Sequence, residues 1–273
     1  MRTRPRRPSS GIVVGMVSKR QPTFSAIVAG AGAGTRLGAN KPKALVELGG
    51  VPLIVHAVRG VRAAGIDDVV VTIPPDAAAR EEFEAALSGE GVLSGEPALE
   101  SESAVSGKSA VSGVRLVPGG ATRQESVANG LAAVDTDFVL IHDAARALTP
   151  IAVIERVMAA LREGYDAVVP ALPVTDTIKT VDGGSPERVV ATLDRENLRA
   201  MQTPQGFRVD VLRQAHRAGE ARGATEAAAP DDAALVEAMG GQVVLVEGAA
   251  EAMKVTTAWD LAVAEMLLAG RRQ

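Results

Sequence analysis

The chain has 273 residues, 47% of them hydrophobic and 2% aromatic, which allows one large α/β domain or two small ones with an aliphatic core. It has no cysteine and no apolar run near the length of a membrane span, so disulfides, thiolate zinc sites and a membrane partner are excluded and a cytoplasmic location is expected. The net charge is −4, but residues 1–22 carry six basic residues and no acid, which leaves 23 basic against 33 acidic residues elsewhere and argues against a nucleic-acid partner.

The first 22 residues are rich in Arg, Pro and Ser and show no helical period, which predicts a disordered basic extension. Within it, the apolar stretch Ile12 to Val17 is too short and too interrupted by glycine to be the core of a signal peptide. We therefore expect a single folded domain over residues 23–270.

An apolar run, Phe24 to Ala29, predicts a buried strand, and it leads into a loop with glycine at alternate positions. Glycine allows a sharp turn, and successive backbone amides in such a turn suit an anion. Arg36 and Lys43 follow the loop. Because an arginine can clamp phosphate oxygens and a lysine supplies a movable charge, the stretch predicts a triphosphate-binding site.

Other interpretations of this loop stay open. It lacks the Gly-Lys-Ser/Thr ending of a Walker A loop. It matches a dinucleotide-binding pattern only loosely, because no acidic residue stands at the distance expected for a ribose contact. A flexible Gly/Ala turn with two solvated cations would have the same sequence. Phosphate binding is favoured because these cations stand in an otherwise acidic chain.

The following segments alternate between helix and strand. An apolar period of three to four residues predicts a helix over Pro52 to Ala64, a strand follows over Asp68 to Ile73, and a helix over Asp76 to Leu87. This alternation predicts a parallel sheet with crossover helices. Residues 88–113 then repeat LSGE and AVSG, which predicts a dispensable low-complexity insertion, with a functional lid as the alternative.

A strand is predicted over Val114 to Val117, followed by a tight turn at Gly119-Gly120. Thr122 has a glutamate three positions later, the pattern of a helix capping box. The apolar strand Phe138 to His142 ends in HDAAR. Its aspartate, Asp143, lies where α/β sheets bind ligands, although a turn or capping residue would look the same.

A polar, β-branched segment follows the helix Ile151 to Leu161 and the strand Asp166 to Ala171. Val174 to Val181 and Arg188 to Leu193 can pair through the turn DGGS. We expect this hairpin to form an arm over residues 173–196 that packs on a second subunit, with an unpartnered surface hairpin as the alternative.

The last third of the chain begins with MQTPQGF, Met201 to Phe207, whose proline and glycine predict a loop. Helices are predicted over Val209 to Ala218 and Asp231 to Met239, and a strand over Gln242 to Val246. A terminal amphipathic helix is predicted from Thr257.

Motifs in this order resemble those of the 2-C-methyl-D-erythritol 4-phosphate cytidylyltransferase family. They are GAGTRL, NKPKAL, GGATRQESV, HDAAR, TDTIK, MQTPQGF and KVTT, and the likeness extends from about residue 24 to residue 270. It implies an α/β fold with a doubly wound, mostly parallel Rossmann-like sheet, a protruding β-hairpin arm and a homodimer joined through residues 173–196. It also implies transfer of CMP from CTP to the polyol phosphate, with pyrophosphate release and Mg²⁺ on the triphosphate.

The resemblance assigns roles to individual residues. The transition state at the α-phosphate would be stabilised by Arg36 and Lys43. CTP would be bound by Gly30, Ala31, Gly32, Gly34, Gly120, Ser126, Ala145 and Arg146. The second substrate would be positioned by Arg195, Lys254, Thr177 and Asp143, with Asp143 also near the metal, whose ligands the sequence does not identify. If the arm is exchanged, Thr177 and Arg195 come from the neighbouring subunit.

Three positions depart from the family pattern. Ala29-Gly30-Ala31-Gly32 replaces Pro-Ala-Ala-Gly, Ala121 replaces a common acid, and Pro230 stands where a threonine is frequent.

Three other functions stay open as alternatives. A ribitol 5-phosphate cytidylyltransferase would share the CTP half, a sugar-1-phosphate nucleotidyltransferase fits the loop but not HDAAR or TDTIK, and a CTP-binding regulatory module would not need all four of the proposed cations.

Overall fold

A computed structural model of the chain describes residues 20–32, 41–89, 113–222 and 229–271. Most of the predicted extension, residues 90–112 of the predicted insertion, and Gly34 and Arg36 in the glycine loop lie outside the described residues. In the part that is described, no helix is long and apolar enough to cross a membrane.

The described elements alternate between strand and helix over most of the chain. The strands are β1 (Phe24–Ala29), β2 (Glu47–Leu48), β3 (Val51–Pro52), β4 (Asp68–Ile73), β5 (Val114–Pro118), β6 (Phe138–Asp143), β7 (Ala167–Pro173), β8 (Lys179–Val181), β9 (Val189–Thr192), β10 (Arg199–Met201), β11 (Gln205–Arg208) and β12 (Val244–Glu247). The helices are α1 (Leu53–Ala63), α2 (Ala77–Gly89), α3 (Arg123–Ala132), α4 (Ile151–Arg162), α5 (Val209–Arg222), α6 (Asp232–Ala238) and α7 (Ala258–Arg271).

Eight strands form the central sheet in the order β10-β7-β11-β6-β1-β4-β5, with β12 paired to β7. The pairs β1–β4, β1–β6, β4–β5 and β7–β12 are parallel, whereas β10 and β11 run antiparallel to their neighbours. This confirms the predicted α/β class with a mostly parallel sheet. Ala29 of β1 is in register with Thr72 of β4 and with Asp143 of β6, so the carboxyl ends of the three strands meet.

Helices cover both faces of the sheet, because its central strands are apolar on both sides. Val28 of β1 packs in one buried cluster with residues of α1, α2 and α4. The preceding residue, Ile27, points to the opposite face and packs in a second cluster with residues of α3, α5 and α6. The doubly wound arrangement that the family resemblance implies is therefore present.

The prediction of a loop over Met201 to Phe207 is wrong for most of the segment, because it contains the end of β10 and most of β11. Pro204 lies between the two strands, where no ladder bond requires its missing N–H. A Cβ at Gly206 would lie 2.5 Å from Val157 Cγ1, so glycine is needed where β11 passes beneath α4. Pro204 thus lies in the short connection formed by residues 202–204, whereas Gly206 lies within β11.

The hairpin predicted after β7 is confirmed, but its strands β8 and β9 are shorter than predicted. A backbone bond from Leu193 N to Ile178 O (3.0 Å) continues the pairing beyond the strand ends. Asp182 Oδ1 closes the turn by accepting bonds from the amides of Gly184 and Arg188, each at 3.0 Å. Residues 175–197 are all exposed in the single chain.

Two predicted boundaries shift. Ser88 and Gly89 belong to α2, so the predicted insertion begins later than residue 88. Arg20, within the predicted extension, lies with its Nη2 atom 3.3 Å from Asp137 Oδ2. The division into an extension, one domain, an insertion and an arm otherwise stays a prediction.

Candidate active site

A hollow of 450 Å³ opens at the carboxyl ends of β1, β4 and β6, the edge at which parallel α/β sheets bind ligands. Its walls come from the glycine loop, the start of α3, the ends of the three strands and the segment before α7. The described residues that line it are Ala29, Gly30, Ala31, Gly32, Lys43, Ala44, Thr72, Gly120, Ala121, Thr122, Arg123, Ser126, Asp143, Ala144, Ala145, Lys254 and Thr256.

One wall is the start of the glycine loop. Gly30 N donates to Thr72 O at 2.9 Å, which holds the loop against the end of β4. A Cβ at Gly30 would lie 2.9 Å from that oxygen and 3.0 Å from Phe83 Cε1 of α2. Glycine is therefore required here for the backbone to pass between strand and helix on its way to the hollow.

The opposite wall is the turn that opens α3. Thr122 Oγ1 accepts a bond from Glu125 N (3.1 Å), and Glu125 Oε2 accepts one from Thr122 N (3.4 Å), which confirms the predicted capping box. Glu125 Oε2 also accepts from Ala121 N (2.7 Å). Ser126 Oγ accepts from Gly120 N (3.1 Å) and donates to Thr122 O (2.9 Å). Side chains of the helix therefore hold much of the turn, and Gly119 N ties it to β4 by donating to Ile73 O at 2.8 Å.

The two walls approach each other closely. A Cβ at Gly119 would lie 2.8 Å from Ala31 Cβ and 2.7 Å from Ser126 Oγ, and one at Gly120 would overlap the Glu125 side chain. Glycine on one side and alanine on the other thus let the turn before α3 pack in direct contact with the glycine loop, so the two walls meet at this point.

Four charged side chains and His216 form a line of contacts that leads from the hollow into the layer of helices behind it. Lys254 Nζ lies 2.7 Å from Asp143 Oδ2, and Arg123 Nε lies 3.6 Å from Asp143 Oδ1. Arg123 Nη1 lies 2.7 Å from Asp232 Oδ2, and His216 Nε2 lies 3.2 Å from Asp232 Oδ1. Asp143 and Asp232 are both buried. The two cations that face the hollow therefore share one carboxylate.

The charge state of Asp143 follows from these neighbours. Burial alone would raise the pKa of its carboxyl, but the positive charges of Arg123 and Lys254 outweigh that effect and lower the pKa to about 2. Asp143 is consequently an anion at neutral pH.

The backbone of Asp143 is fixed by Thr203, the residue before Pro204. Asp143 N donates to Thr203 Oγ1 at 3.0 Å, and His142 Nδ1 lies 2.9 Å from the same oxygen. Burial lowers the pKa of His142 to about 4, so its ring is neutral at pH 7. A neutral ring can accept at Nδ1, and the Thr203 hydroxyl, which already accepts from the amide, then donates to it.

Lys43 also lines the hollow. It is the first residue of a short 3₁₀ helix, Lys43–Leu45, whose other two residues are buried. Asp260, at the start of α7, has a lowered pKa, chiefly because its carboxylate accepts bonds from the amides of Thr256 and Thr257. The charge of Lys43 contributes to the same lowering, which places this lysine near the α7 side of the site.

Nine of the residues expected at the site line the hollow. They are Gly30, Ala31, Gly32, Lys43, Gly120, Ser126, Asp143, Ala145 and Lys254. Gly34 and Arg36 lie outside the described residues, so the expected meeting of Arg36 with Lys43 stays a prediction.

Three expected residues are not among the described residues that line the hollow. The Arg146 guanidinium points to backbone carbonyls, donating to Ala252 O at 2.6 Å and Met201 O at 3.1 Å. Thr177 is exposed, and Arg195 donates to Thr175 O at 2.8 Å within the arm. The structure thus gives Arg146 a role in joining β10 to the segment before α7 rather than in the hollow.

Sequence reasoning missed four polar lining residues, Thr72, Thr122, Arg123 and Thr256. Arg123 had a detectable signal, because it is the first helical residue after a capping threonine beside the Gly-Gly turn. Thr72 was hidden in the apolar strand DVVVTI. Its hydroxyl is buried and has no hydrogen-bond partner among the described residues.

Comparison with known proteins gives a consistent result. The family model for 2-C-methyl-D-erythritol 4-phosphate cytidylyltransferase matches residues 24–270. The protein of that name from Streptomyces avermitilis is 44% identical over 255 residues, which cover 91% of this chain and 92% of the relative. Its counterpart from Saccharopolyspora erythraea is 46% identical over 251 residues, covering 89% of this chain and 98% of the relative.

Solved structures agree with these relatives. The crystal structure of 2-C-methyl-D-erythritol 4-phosphate cytidylyltransferase from Thermus thermophilus superimposes with a TM-score of 0.65 at 35% identity. The match covers 90% of this chain and 98% of that one. The chain therefore belongs to the 2-C-methyl-D-erythritol 4-phosphate cytidylyltransferase family.

Proposed function

We propose that this protein transfers CMP from CTP to 2-C-methyl-D-erythritol 4-phosphate, releasing pyrophosphate, and that the hollow is its active site. One observation carries the proposal: a single hollow is lined by the glycine loop, the turn at the start of α3, and the cations Lys43 and Lys254. The family match over residues 24–270 supplies the identity of the two substrates.

The reaction joins two anions. An oxygen of the substrate phosphate attacks the α-phosphorus of CTP, the bond from that phosphorus to the oxygen bridging to the β-phosphate breaks, and pyrophosphate leaves with the electron pair. Alignment and charge neutralisation are the main requirements, since no covalent intermediate is needed. Lys43 would neutralise charge that builds up on the α-phosphate, and Arg36 would assist from the glycine loop.

The part of the hollow lined by the glycine loop and the start of α3 would take the cytosine ring. The backbone of Gly30 to Gly32 and the Gly120–Ser126 turn offer polar atoms to a base edge. Ala145, which also lines the hollow, would lie near the ribose. The direct contribution expected from Arg146 is not part of this proposal, because its guanidinium is engaged with backbone carbonyls.

The second substrate would bind on the side of Asp143 and Lys254. Lys254 is 45% exposed on its side chain and can turn towards a phosphate, whereas the buried Asp143 can accept bonds from substrate hydroxyls. Thr177 and Arg195 would complete this half of the site from the arm of a second subunit.

The family uses a divalent metal, and we propose Mg²⁺ carried by the triphosphate. Among the described residues, no group of three or more His, Cys, Asp or Glu side chains could hold a metal by itself. Asp143 is the one carboxylate among the described lining residues. This donor set fits Mg²⁺, which keeps several waters and is commonly bound by one or two carboxylates plus substrate phosphates. Bound there, the ion would neutralise phosphate charge.

The arm supports a homodimer. Residues 175–197 are exposed throughout in the single chain, and they include Val189 and Val190, whose exposed fractions are 62% and 66%. Exposed apolar side chains that cluster on a surface often mark a protein–protein interaction site. We propose that the partner subunit covers them and receives Thr177 and Arg195 in return.

Pyrophosphate release tests the function. The purified protein is incubated with CTP and Mg²⁺ and with either 2-C-methyl-D-erythritol 4-phosphate or ribitol 5-phosphate. Release with the first substrate only is the expected result. Release with ribitol 5-phosphate alone would assign the other activity. CTP binding by calorimetry without release from either substrate would favour a regulatory module and overturn the proposal.

A further inference from the structure

Arg123 lies between two carboxylates that come from different elements. Its Nη1 atom is 2.7 Å from Asp232 Oδ2, and its Nε atom is 3.6 Å from Asp143 Oδ1. Asp232 is 1% exposed and its second oxygen lies 3.2 Å from His216 Nε2. The buried Asp232 carboxylate therefore holds the Nη1 end of the guanidinium. The Nε atom of the same group faces the Asp143 carboxylate at the hollow.

The anchor itself is held rigidly. Asp232 is the first residue of α6, and the helix is capped by Asp231, whose Oδ1 accepts from Ala234 N at 2.9 Å. Gln205 of β11 fastens the same turn, because it donates to Asp231 Oδ2 at 2.8 Å and accepts from Ala233 N at 3.2 Å. The sheet thus fixes the position of the buried carboxylate that holds Arg123.

Lys254 contacts the other oxygen of Asp143 in a different way. It is 45% exposed, whereas the Arg123 side chain is 32% exposed and makes a second ion pair. A lysine is a point charge on a flexible stem, and an arginine can hold two acceptors in a fixed plane. When Lys254 turns to a substrate phosphate, Asp143 loses one of its two cations and keeps the anchored one.

We propose that Arg123 is a positioning residue for the transfer reaction: held by Asp232, it keeps the Asp143 carboxylate in place while Lys254 binds the substrate phosphate. This inference rests on the roles proposed above for Asp143 and Lys254. It assigns Asp232 a function through Arg123, although Asp232 lies behind the hollow and does not line it.

A purely structural role is the competing explanation, because the same ion pair joins α3 to α6. Arg213 offers a matched control: its guanidinium joins α5 to α3 through Leu131 O (3.1 Å) and Val134 O (2.6 Å), and it is not among the described residues lining the hollow. Arg213→Gln therefore measures the cost of losing an arginine that only connects helices.

The experiment compares Arg123→Gln, Arg123→Lys, Asp232→Asn and the double variant Arg123→Gln/Asp232→Asn with wild type and Arg213→Gln. For each protein, kcat and KM for 2-C-methyl-D-erythritol 4-phosphate, the Kd for CTP by calorimetry without added metal, and the melting temperature are measured. A positioning role predicts that Arg123→Gln and Asp232→Asn each lower kcat by about 10-fold or more while the Kd for CTP changes by less than about threefold. Arg123→Lys restores part of kcat, because a single charge remains.

The double variant makes the test specific. If Asp232 acts through Arg123, adding Asp232→Asn to Arg123→Gln lowers kcat by less than about twofold further. A full second loss, or a kcat loss no larger than that of Arg213→Gln, would overturn the proposal. If Arg123→Gln does not fold, Arg123→Lys and Asp232→Asn decide between the same outcomes. Wild-type protein without pyrophosphate release would instead defeat the proposed function.

Discussion

Lys254 Nζ lies 2.7 Å from Asp143 Oδ2, although one residue precedes the terminal helix and the other ends a central strand. The contact joins the one carboxylate among the described lining residues to a half-exposed cation on the same side of the hollow. A substrate phosphate that binds Lys254 must compete with this carboxylate. The ion pair therefore determines how much positive charge this side of the hollow offers to a substrate phosphate.

Removing Lys254 should affect turnover far more than folding. We expect Lys254→Ala to lower kcat/KM for the polyol phosphate by about 100-fold, the size of effect seen when one oriented electrostatic partner of a transition state is lost. Its melting temperature should fall by only a few degrees, because Arg123 remains beside the buried Asp143 carboxylate. Lys41→Ala, which removes an exposed ion pair with Glu47 at 3.3 Å, is the control and should retain activity. Equal activity in the two variants would contradict the prediction.

Lys43 should act on the chemical step itself. Lys43→Ala is expected to lower kcat by about 100-fold with a smaller change in the Kd for CTP, because we propose that the lysine neutralises charge that develops at the α-phosphate. Single-turnover pyrophosphate release and calorimetry separate the two quantities. A variant that binds CTP about 100-fold more weakly but turns over normally at saturation would show that Lys43 only binds the nucleotide. Arg36→Ala should behave like Lys43→Ala if the two cations share the site.

Stability should fall in mild acid because of His142. Its pKa is lowered by burial to about 4 in the folded chain and rises to its ordinary value of about 6.5 on unfolding, so the unfolded state binds more protons between those values. The free energy of unfolding should therefore decrease by about 2 kcal/mol from pH 7 to pH 5 through this residue. Urea unfolding of wild type and His142→Gln at both pH values checks the difference. An identical pH dependence in the two proteins would disprove it.

Charge on the arm should separate the subunits. Val189→Asp and Val190→Asp replace side chains that are 62% and 66% exposed in the single chain, so the fold of each subunit should survive. Sedimentation velocity should show monomers, and pyrophosphate release should fall at least about 10-fold because the partner's arm no longer completes the site. Trp259→Asp changes another exposed apolar residue, 77% exposed on α7, and should leave the assembly unchanged. Active monomers of the arm variants would exclude a shared site.

The low-complexity insertion should be dispensable. We expect replacement of residues 90–112 by a short Gly/Ser linker to preserve pyrophosphate release and melting temperature within about twofold and a few degrees, since closing a loop of different length costs little. The flanking structure supports this design, because Gly113 O accepts from Val69 N at 2.8 Å and α2 continues to Gly89. A loss of activity with an unchanged melting temperature would show that the segment serves as a lid.

Features determined by local chemistry were predictable from the sequence. The apolar run Phe24 to Ala29 forms a strand with the predicted bounds, and Thr122 with Glu125 forms the predicted capping box. Such features depend on neighbours a few residues away, so a single sequence contains their signal. The same holds for placing Asp143 at the hollow, because the carboxyl ends of parallel strands meet at one edge.

Long-range pairing was not predictable in the same way. Arg123 meets Asp232 across more than one hundred positions, and neither periodicity nor spacing connects them. Met201 to Phe207 was mistaken for a loop because its proline and glycine are typical of turns, whereas packing under α4 requires the glycine. The engagement of Arg146 with Ala252 O and Met201 O likewise depends on tertiary contacts.

The reciprocal bonds between Thr122 and Glu125 have a thermodynamic consequence for nucleotide recognition. They orient the amides of the turn before any ligand arrives, so that this wall loses little conformational entropy when the base enters. Moving this preorganised turn would cost free energy, and a larger purine base would have to displace it. We therefore expect selectivity for pyrimidine nucleotides to be present already at the first encounter.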